Sequence, residues 1–322
     1  MELRLLGRTG IQVSPICFGT MSFGGDADEA TSADLYRTVR EAGINFLDCA
    51  DAYQKGEAER ILGRLMAHER DNLVITTKCH YNDGTDVNAG GLNRRHMVRA
   101  VERSLKNLGT DRVEVYFMHH WDPKTPMEEI LRACEDLIRS GKVLHLGLSN
   151  WAAWQIATAL GTQRLQGWSR VDVLQPMYSL VKRQVEVEIL PLARAENLGV
   201  MTYSPIGAGL LSGKYRGGAA PEGRLTQNHR YAKRYSLDQM TATAEAFTAH
   251  ADAAGVHPVT LAVAWVMGNP VVTCPIIGAR SVEQLRPALA ALDHDLTPEA
   301  RGEITALSPA PPPATDRLEE TL

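Results

Sequence analysis

Short apolar runs alternate with amphipathic stretches along most of this chain of 322 residues. The segment LRLLGRTGIQVS, near the start, predicts a β-hairpin that turns at Arg8-Thr9-Gly10. After it, eight apolar runs have the length and composition of buried strands. In chain order they are Ile16–Gly19, Ile44–Asp48, Leu73–Lys78, Val113–His119, Val143–Ser149, Val171–Gln175, Val200–Tyr203 and Val272–Ile277.

The amphipathic stretches between these runs predict helices. They cover Ser32–Ala42, Glu57–Ala67, Arg94–Leu108, Met127–Arg139, Ala152–Leu160, Val185–Asn197, a pair within Met240–Met267, and Val282–Leu292. Strands that alternate with helices pair in parallel, and eight such units in about 250 residues favour a closed barrel over a doubly wound open sheet. The predicted fold class is therefore α/β: a (β/α)8 TIM barrel with an N-terminal β-hairpin and long loops at its C-terminal face.

Two segments depart from this rhythm. The longest irregular insert, Gly207–Asp238, follows the seventh run and contains several glycines, which predicts a flap over a ligand. The last segment, SPAPPPATDRLEETL, is rich in proline and is expected to be disordered. We therefore expect one barrel domain over residues 1–307 and a disordered tail over 308–322.

Composition narrows the range of partners. The chain is 44% hydrophobic and has a formal net charge of −4 at pH 7, so neither a nucleic-acid nor a membrane partner is expected. The N-terminal segment MELRLLGRTG has no apolar stretch of signal-peptide length, and the most apolar segment, Val259–Val266, is far too short to cross a bilayer. These features predict a cytoplasmic protein.

The cysteines add no metal or disulfide pattern. Their number is odd, and none has CxxC or Cys/His metal-ligand spacing: Cys17, Cys49, Cys79, Cys134 and Cys274. We expect them to be core residues in a reducing compartment.

Polar residues close three consecutive apolar runs. Asp48 ends the second, Lys78 the third and His119 the fourth, and Tyr53 follows the second run in the next loop. Singly, each has a structural explanation: a turn or helix cap for the Asp, a solvated Lys, a satisfied core His. In a barrel, however, the C-terminal strand ends form the active site, so these four groups are predicted to meet at one place.

Their chemistry fits a proton donor for carbonyl reduction. The tyrosine hydroxyl has an ordinary pKa of about 10 and is a poor acid at neutral pH. A nearby ammonium stabilises the phenolate, so Lys78, held by Asp48, would make Tyr53 a better acid. The imidazole of His119 could bond to a carbonyl oxygen and orient it. This set of residues supplies a proton and lacks a source of hydride.

Seven segments carry a resemblance to a known family. They are GINFLDCADAYQKGEAERILG, ITTK, YFMHHWDP, GLSNW, LQPMYSL, YSPIGAGLLSGKY and PIIGARSVEQL. In this order, over residues 1–295, they resemble the aldo-keto reductases. The segments GGLNRRH, DPKTPMEE and GLLSGKY are most similar to the branch that includes the voltage-gated potassium channel β subunits and their bacterial relatives.

The resemblance implies an NADP(H)-dependent reductase that converts an aldehyde or ketone to an alcohol, or the reverse. Tyr53 would be the proton donor, Lys78 and Asp48 would tune it, and His119 would orient the carbonyl. The implied binding residues for NADPH or NADP+, from the nicotinamide to the adenine end, are Thr20, Met21, Asp48, Ser149, Asn150, Gln175, Tyr203, Ser204, Pro205, Ile206, Gly209, Lys214, Arg224, Gly278, Arg280 and Gln284.

In this scheme Ser149, Asn150 and Gln175 hold the nicotinamide carboxamide, and Tyr203 stacks on the ring. Arg280 and Gln284 belong to the segment that grips the adenosine 2′-phosphate and adenine. One departure follows: relatives commonly carry Glu-Asn where this chain has Pro287 and Ala288. Side-chain hydrogen bonds to adenine cannot form from these two positions.

The glycine-rich stretch GAGLLSGKY fits neither of the common nucleotide motifs. A Walker A motif needs Gly where Ala208 stands and Ser or Thr where Tyr215 stands. A Rossmann fingerprint needs GxGxxG after the first strand, whereas this run is GxGxxxG after the seventh. A phosphate-contacting loop remains, because glycines let backbone N–H groups approach an anion.

Two other functional classes share some of these residue patterns. A metal-dependent hydrolase could use His119, His120 and Asp122, but neighbouring residues on a strand point to opposite faces and no HxH occurs, so no metal site is predicted. A cofactor-binding regulatory subunit, by analogy with the channel β subunits, is the main alternative; against it, the carbonyl-orienting histidine is present.

The expected substrate is a small-molecule carbonyl or alcohol. Its pocket is predicted to include Met21, Tyr53, His119 and Trp121, of which Met21 and Trp121 suggest a partly apolar wall. Neither the oligomeric state nor the direction of the reaction is encoded in these motifs.

Overall fold

The structure is a computed structural model that describes residues 1–82, 84, 86–218, 222–317 and 319. Its strands are β1 Arg4–Leu5, β2 Gln12–Val13, β3 Cys17–Gly19, β4 Phe46–Asp48, β5 Val74–Cys79, β6 Val113–Met118, β7 Val143–Ser149, β8 Val171–Gln175, β9 Gly199–Tyr203 and β10 Cys274–Ile277. Its α-helices are α1 Glu29–Glu41, α2 Glu57–Met66, α3 Arg94–Leu108, α4 Met127–Arg139, α5 Ala153–Gln166, α6 Ile189–Ala195, α7 Arg224–Gln227, α8 His229–Arg234, α9 Asp238–Ala253, α10 Pro258–Met267, α11 Val282–Leu289 and α12 Pro298–Ala306.

Strands β3 to β10 form one closed parallel barrel. Each strand pairs with its successor along the chain, and β10 closes the barrel by pairing with β3. The hairpin of β1 and β2 is antiparallel and stands outside this sheet. The predicted (β/α)8 barrel with an N-terminal hairpin is therefore confirmed, and the open sheet is excluded.

The alternation of side chains along each strand separates two apolar clusters. On β6, Val115 and Phe117 belong to the cluster inside the barrel, whereas Tyr116 and Met118 pack against the outer helices. Inside, the ring of Phe117 covers Gly147 of β7 so closely that a Cβ there would lie 2.3 Å from a ring carbon. The interior is thus filled by side chains, as in other (β/α)8 barrels.

The hairpin closes the N-terminal end of the barrel. Leu6 and Val13 are fully buried in the interior cluster. Gly7, at a positive φ of 56°, lies against β9, and a Cβ would be 2.3 Å from the backbone nitrogen of Gly199. The hairpin therefore covers the end of the barrel opposite to the one where the strands finish.

Most predicted elements occur, with shifted ends that have local causes. Helix α1 begins at Glu29 because the side chain of Asp28 accepts a hydrogen bond from the Thr31 N–H at 2.8 Å. Helix α5 continues through Gly161 and ends before Gly167, which has a left-handed φ of 65°. Helix α6 begins only at Ile189, because Pro191 lacks an N–H and fits the first helical turn.

Two segments differ more from the prediction. The insert Gly207–Asp238 is not wholly irregular, since it contains α7 and α8 and two 3₁₀ turns; its residues 219–221 lie outside the described part. Helix α12 was not predicted. The Thr297 hydroxyl caps it at 3.2 Å from the Ala300 N–H, and Pro298 occupies its first position, a start signal that is visible in the sequence.

The proposed boundary at residue 307 stays a prediction. Within the tail, Arg183 donates to the carbonyl oxygen of Ser308 at 3.0 Å. Residues 318 and 320–322 of the tail lie outside the described part. Among the helices that the structure describes, none has the length and apolarity needed to cross a bilayer.

Candidate active site

A buried ion pair lies at the base of the barrel's C-terminal end. Asp48 ends β4, Lys78 lies near the end of β5, and both carboxylate oxygens are 2.6 Å from Nζ. Lys78 is fully buried and donates a further hydrogen bond to the carbonyl oxygen of Cys49 at 2.6 Å. Thr76 donates to Asp48 Oδ1 at 2.7 Å. The closest acceptors of the ammonium, the Asp48 carboxylate and the Cys49 carbonyl oxygen, lie at the end of β4 or directly after it, so the barrel fixes the pair.

Tyr53 lies directly above this pair. Its hydroxyl oxygen is 3.5 Å from Lys78 Nζ, in a short 3₁₀ turn that follows β4. Burial raises the pKa of Tyr53 well above its ordinary value, and the negative charge of Asp48 raises it further. The expectation that Lys78 makes Tyr53 a better acid stays a prediction, and the Lys78 ammonium is close enough to stabilise a phenolate at this position.

His119 faces Tyr53 across the base of the cleft. The two ring centroids are 6.2 Å apart in an edge-to-face arrangement. Burial lowers the pKa of His119 well below its ordinary value, and the charge of Lys78 lowers it further, so the imidazole is neutral. Its Nδ1 is buried and has no hydrogen-bond partner among the described residues, which leaves Nε2 as the nitrogen that can bind a ligand. A neutral imidazole that donates from Nε2 can polarise a carbonyl oxygen.

The position of His120 corrects one premise of the metal-site prediction, namely that His119 and His120 point to opposite faces of a strand. The rings of His119 and His120 do not point to opposite faces; they stack with centroids 5.4 Å apart, because both residues lie beyond the end of β6. Tyr81, two residues beyond β5, places its hydroxyl oxygen 2.7 Å from His120 Nε2. Within the described residues, no group of three or more His, Cys, Asp or Glu side chains has an arrangement that could hold a metal ion.

A layer of amides and a tyrosine lies beside this centre. Gln175 Nε2 donates to Asp48 Oδ1 at 2.8 Å. Asn150, at a left-handed φ of 60°, donates from Nδ2 to Ser149 Oγ at 3.0 Å and accepts at Oδ1 from the Tyr203 hydroxyl at 2.6 Å. The three predicted amide-binding side chains are therefore brought together, and each already bonds to a neighbour.

One cleft of about 1390 Å³ opens above these residues. Most of the predicted site residues line it, namely Met21, Asp48, Tyr53, His119, Ser149, Asn150, Gln175, Tyr203, Ser204, Pro205, Ile206, Gly209, Lys214, Arg224, Gly278, Arg280 and Gln284. The volume exceeds the roughly 300–1,000 Å³ of a pocket for one drug-sized ligand, so there is room for two ligands.

Three predicted site residues do not line the cleft. Lys78 is covered by Asp48 and Tyr53. Thr20 is buried behind the wall, where its hydroxyl donates to the carbonyl oxygen of Asp48 at 3.0 Å. Trp121 turns away and packs edge-to-face on Trp151, with centroids 4.8 Å apart. Thr20 and Trp121 are therefore not among the lining residues of the cleft, and their assignment to the site stays a prediction.

The end of the cleft away from Tyr53 is lined by Lys214, Arg224 and Arg280 and by two glycines. Gly209 has a φ of 94°, and a Cβ there would lie 3.0 Å from Lys214 Cε. At the opposite wall, a Cβ on Gly278 would lie 3.2 Å from the carbonyl oxygen of Gly19. Both glycines line the cleft, and a side chain at either position would be crowded by the protein itself. Arg280 is not free in this structure, because its Nε is 3.0 Å from Asp26 Oδ2.

Comparison with known proteins agrees with this geometry. Residues 15–309 match the Aldo/keto reductase family. The chain belongs to this family. It is 38% identical over 324 residues to the uncharacterized oxidoreductase YrpG of Bacillus subtilis, with 97% of each chain covered. It is 35% identical to a probable voltage-gated potassium channel subunit beta of Arabidopsis thaliana, covering 91% of this chain and 92% of the relative. It is 33% identical to norsolorinic acid reductase of Aspergillus flavus, covering 95% and 80%.

This aldo/keto reductase has lining residues that the sequence analysis missed. Asp51 and Tyr81 line the cleft two or three residues beyond strand ends, where the same strand-end rule could have found them. Tyr231 and Arg234 of α8 also line it. They come from the insert, in which no local pattern marks a residue as facing the barrel.

Proposed function

We propose that this chain is an NADP(H)-dependent carbonyl reductase in which Tyr53 donates the proton. Family membership supports the reaction class. The observation that carries the assignment of residues is the buried Lys78–Asp48 pair with the Tyr53 hydroxyl 3.5 Å from Lys78 Nζ, open to a cleft that is large enough for a cofactor and a substrate.

The cleft fits a dinucleotide. The amide layer of Ser149, Asn150 and Gln175 would hold the nicotinamide carboxamide, and Tyr203 would pack on its ring. Backbone N–H groups beside Gly209, with Lys214 and Arg224, would hold the pyrophosphate. Arg280 and Gln284 would hold the 2′-phosphate and adenine end. When bound, the cofactor supplies the hydride that the side chains lack.

The side chains stabilise the negative charge on the substrate and donate the proton. Negative charge develops on the carbonyl oxygen as the substrate is reduced, and a hydrogen bond from His119 Nε2 stabilises it. An alkoxide is far more basic than a phenolate, so it takes the proton from Tyr53 despite the raised pKa. The phenolate left behind lies beside the Lys78 ammonium, which stabilises it.

A cytoplasmic location with small-molecule substrates belongs to the same proposal. The five cysteines are free and buried, as expected in a reducing compartment.

NADPH oxidation with 4-nitrobenzaldehyde tests the function. We expect a fall in absorbance at the NADPH band that requires both enzyme and aldehyde and persists in EDTA. A chain that binds NADPH but reduces no member of a panel of aldehydes and ketones would refute the reductase proposal.

A cofactor-binding regulatory subunit is the second candidate. It is favoured by one finding, the relatives that are named probable potassium channel subunits. The same assay separates the two: tight NADPH binding without turnover is expected of a purely regulatory subunit, and turnover is expected of the reductase.

A further inference from the structure

The cleft has a second polar wall beside His119. The ring of Tyr81 lies 5.2 Å from that of His119, and its hydroxyl is bonded to His120. Both residues line the cleft. None of the proposed cofactor contacts uses them, so a substrate that meets His119 would also meet this wall.

Arg234 lies on the same side of the cleft. It is the last residue of α8, it is half-buried, and its guanidinium carbon is 5.0 Å from the centre of the Tyr231 ring. Burial raises the pKa of Tyr203 to about 12, and the charge of Arg234 is the strongest influence that lowers it. The same charge, together with that of Arg230, acts on Tyr81, and it also acts on His120. Arg234 lines the same cleft as these two residues, so its guanidinium is available to a ligand there.

No carboxylate neutralises this guanidinium within the described residues. Asp48 and Asp51 also line the cleft, but Asp48 pairs with Lys78 and Asp51 with Arg103. Glu222 is next to Gly223, and Gly223 lies against Lys214, since a Cβ there would be 2.5 Å from Lys214 Nζ. Glu222 is therefore at the end of the cleft that is proposed to bind the phosphates. A half-buried charge without a counter-ion is unfavourable, and an anionic ligand would relieve it.

The cofactor does not account for Arg234. Its phosphates already have Lys214, Arg224 and Arg280 as partners in the proposed mode. Nor do the nearby imidazoles provide the charge, because burial lowers the pKa of His119 and of His120. Arg230 and Arg234 are the permanent cations whose charges act on Tyr81, and of these two Arg234 lines the cleft.

We propose that Arg234 binds an anionic group on the substrate, so that the preferred substrates are aldehydes or ketones that carry a carboxylate or a phosphate. The planar guanidinium can bind either anion through two parallel hydrogen bonds. This proposal rests on the reductase function and names its substrate class.

Matched substrate pairs test it. In the carboxylate pair, 4-carboxybenzaldehyde is compared with its neutral methyl ester; in the phosphate pair, glyceraldehyde 3-phosphate is compared with glyceraldehyde. We expect one charged member to have the lower KM with wild type. In Arg234→Ala, its KM should rise about ten- to a hundredfold, the loss of a charge-assisted hydrogen bond, while the KM of the neutral member stays within about threefold. The pair that shows the effect identifies the anion.

Lys233→Ala is the matched control. Lys233 is on the same helix, is exposed and does not line the cleft, so its removal changes the net charge equally and should leave the charged-to-neutral ratio unchanged. Equal changes for charged and neutral substrates in Arg234→Ala, or a weaker NADPH affinity in that variant, would overturn the proposal.

A binding measurement separates this proposal from the function itself. Calorimetry with the two charged alcohols that correspond to these aldehydes, 4-(hydroxymethyl)benzoate and glycerol 3-phosphate, each in the presence of NADP+, measures binding of either anion without a steady-state assay. We expect binding to wild type and Lys233→Ala and a loss of at least tenfold in Arg234→Ala. Reduction of neutral aldehydes without any such binding would contradict the anion site but not the reductase function. Binding without reduction of any carbonyl would support the anion site and contradict the reductase function.

Discussion

At the scale of single residues, Tyr53 combines a raised pKa with an adjacent ammonium. Removing its hydroxyl should leave the cleft intact and abolish proton donation. We expect Tyr53→Phe to lower kcat by about 10²–10⁴-fold, the usual contribution of a general acid, with NADPH affinity within a few-fold of wild type. Steady-state kinetics and NADPH titration measure both quantities.

Tyr36→Phe is the control for this change. It deletes a hydroxyl that bonds to Glu69 on the outer face of the barrel, 2.5 Å from its carboxylate, far from the cleft. Its kcat should equal that of wild type. More than half of the wild-type rate in Tyr53→Phe would rule out the assigned role.

Asp51 is the residue whose titration should be visible in stability. Burial raises its pKa to about 7, and the charge of Glu59 adds to this, while Arg103 at 3.1 Å opposes it. Between about pH 4 and 7 the folded chain therefore holds a proton that the unfolded chain, with a pKa of about 3.9, has lost. The stabilisation from this group is complete below the unfolded pKa and is lost as the pH rises through the folded pKa.

Replacing Asp51 by Asn removes that titration. Relative to Asp51→Asn, the free energy of unfolding of wild type should fall by about 2 kcal/mol from pH 5 to pH 7 and then level off. Urea denaturation at several pH values measures it. Asp28→Asn serves as the control: hydrogen bonding from Thr31 lowers the pKa of that exposed carboxyl, so its difference from wild type should be flat over this range. A flat difference for Asp51 too would contradict the buried, raised-pKa state.

At the scale of elements, the interior of the barrel depends on one close contact. A Cβ on Gly147 would lie 2.3 Å from the Phe117 ring, which is fully buried in the interior cluster. Gly147→Ala should therefore lower the free energy of unfolding by about 1–3 kcal/mol, the usual cost of overpacking a core. Gly161→Ala in α5 meets nothing within 4 Å and should be stabilising by about 0.5–1 kcal/mol. If urea denaturation gives Gly147→Ala a free energy of unfolding equal to or higher than that of Gly161→Ala, this account of the interior is wrong.

The same scale shows what sequence patterns can predict. All eight barrel strands were predicted, because a buried parallel strand is a short apolar run whatever surrounds it. Helix ends were less accurate where one residue decides them, as Asp28 and Pro191 do. Helix α12 was missed because its start signal, Thr297-Pro298, was not combined with the weak apolar pattern that follows. Hydrophobic patterns thus predict which strands and helices occur, whereas single capping residues determine where the helices begin and end.

At the scale of the whole molecule, the site depends on contacts that only the closed barrel creates. Asp48, Tyr53, Lys78 and His119 could be predicted to meet because strand order alone brings their strands together. Trp121 and Arg234 could not be placed, since their directions are set by packing between distant loops. Likewise, Asp26 and Arg280 are 254 residues apart and meet because β10 pairs with β3.

If Arg280 binds the 2′-phosphate as proposed, the Asp26–Arg280 pair makes cofactor preference depend on that closure. A 2′-phosphate must compete with Asp26 for the guanidinium, and the pair is partly exposed, so we expect it to hold Arg280 by no more than about 1 kcal/mol. Arg280→Ala should reduce the preference for NADPH over NADH by roughly ten- to a hundredfold. Asp26→Asn should strengthen NADPH binding by up to about fivefold and leave NADH unchanged.

Titrating both cofactors against each variant measures these ratios, and Arg286→Ala is the control. Arg286 is also on the segment after β10 but is exposed and does not line the cleft. Because Pro287 and Ala288 offer no side-chain hydrogen bond to adenine, binding should depend strongly on the phosphate, and the effect of Asp26→Asn should shrink as salt screens the pair. A preference that is the same in wild type and Arg280→Ala would show that this arginine does not bind the phosphate. A preference that falls in Asp26→Asn would show that the carboxylate orients Arg280 for the cofactor and does not compete with it.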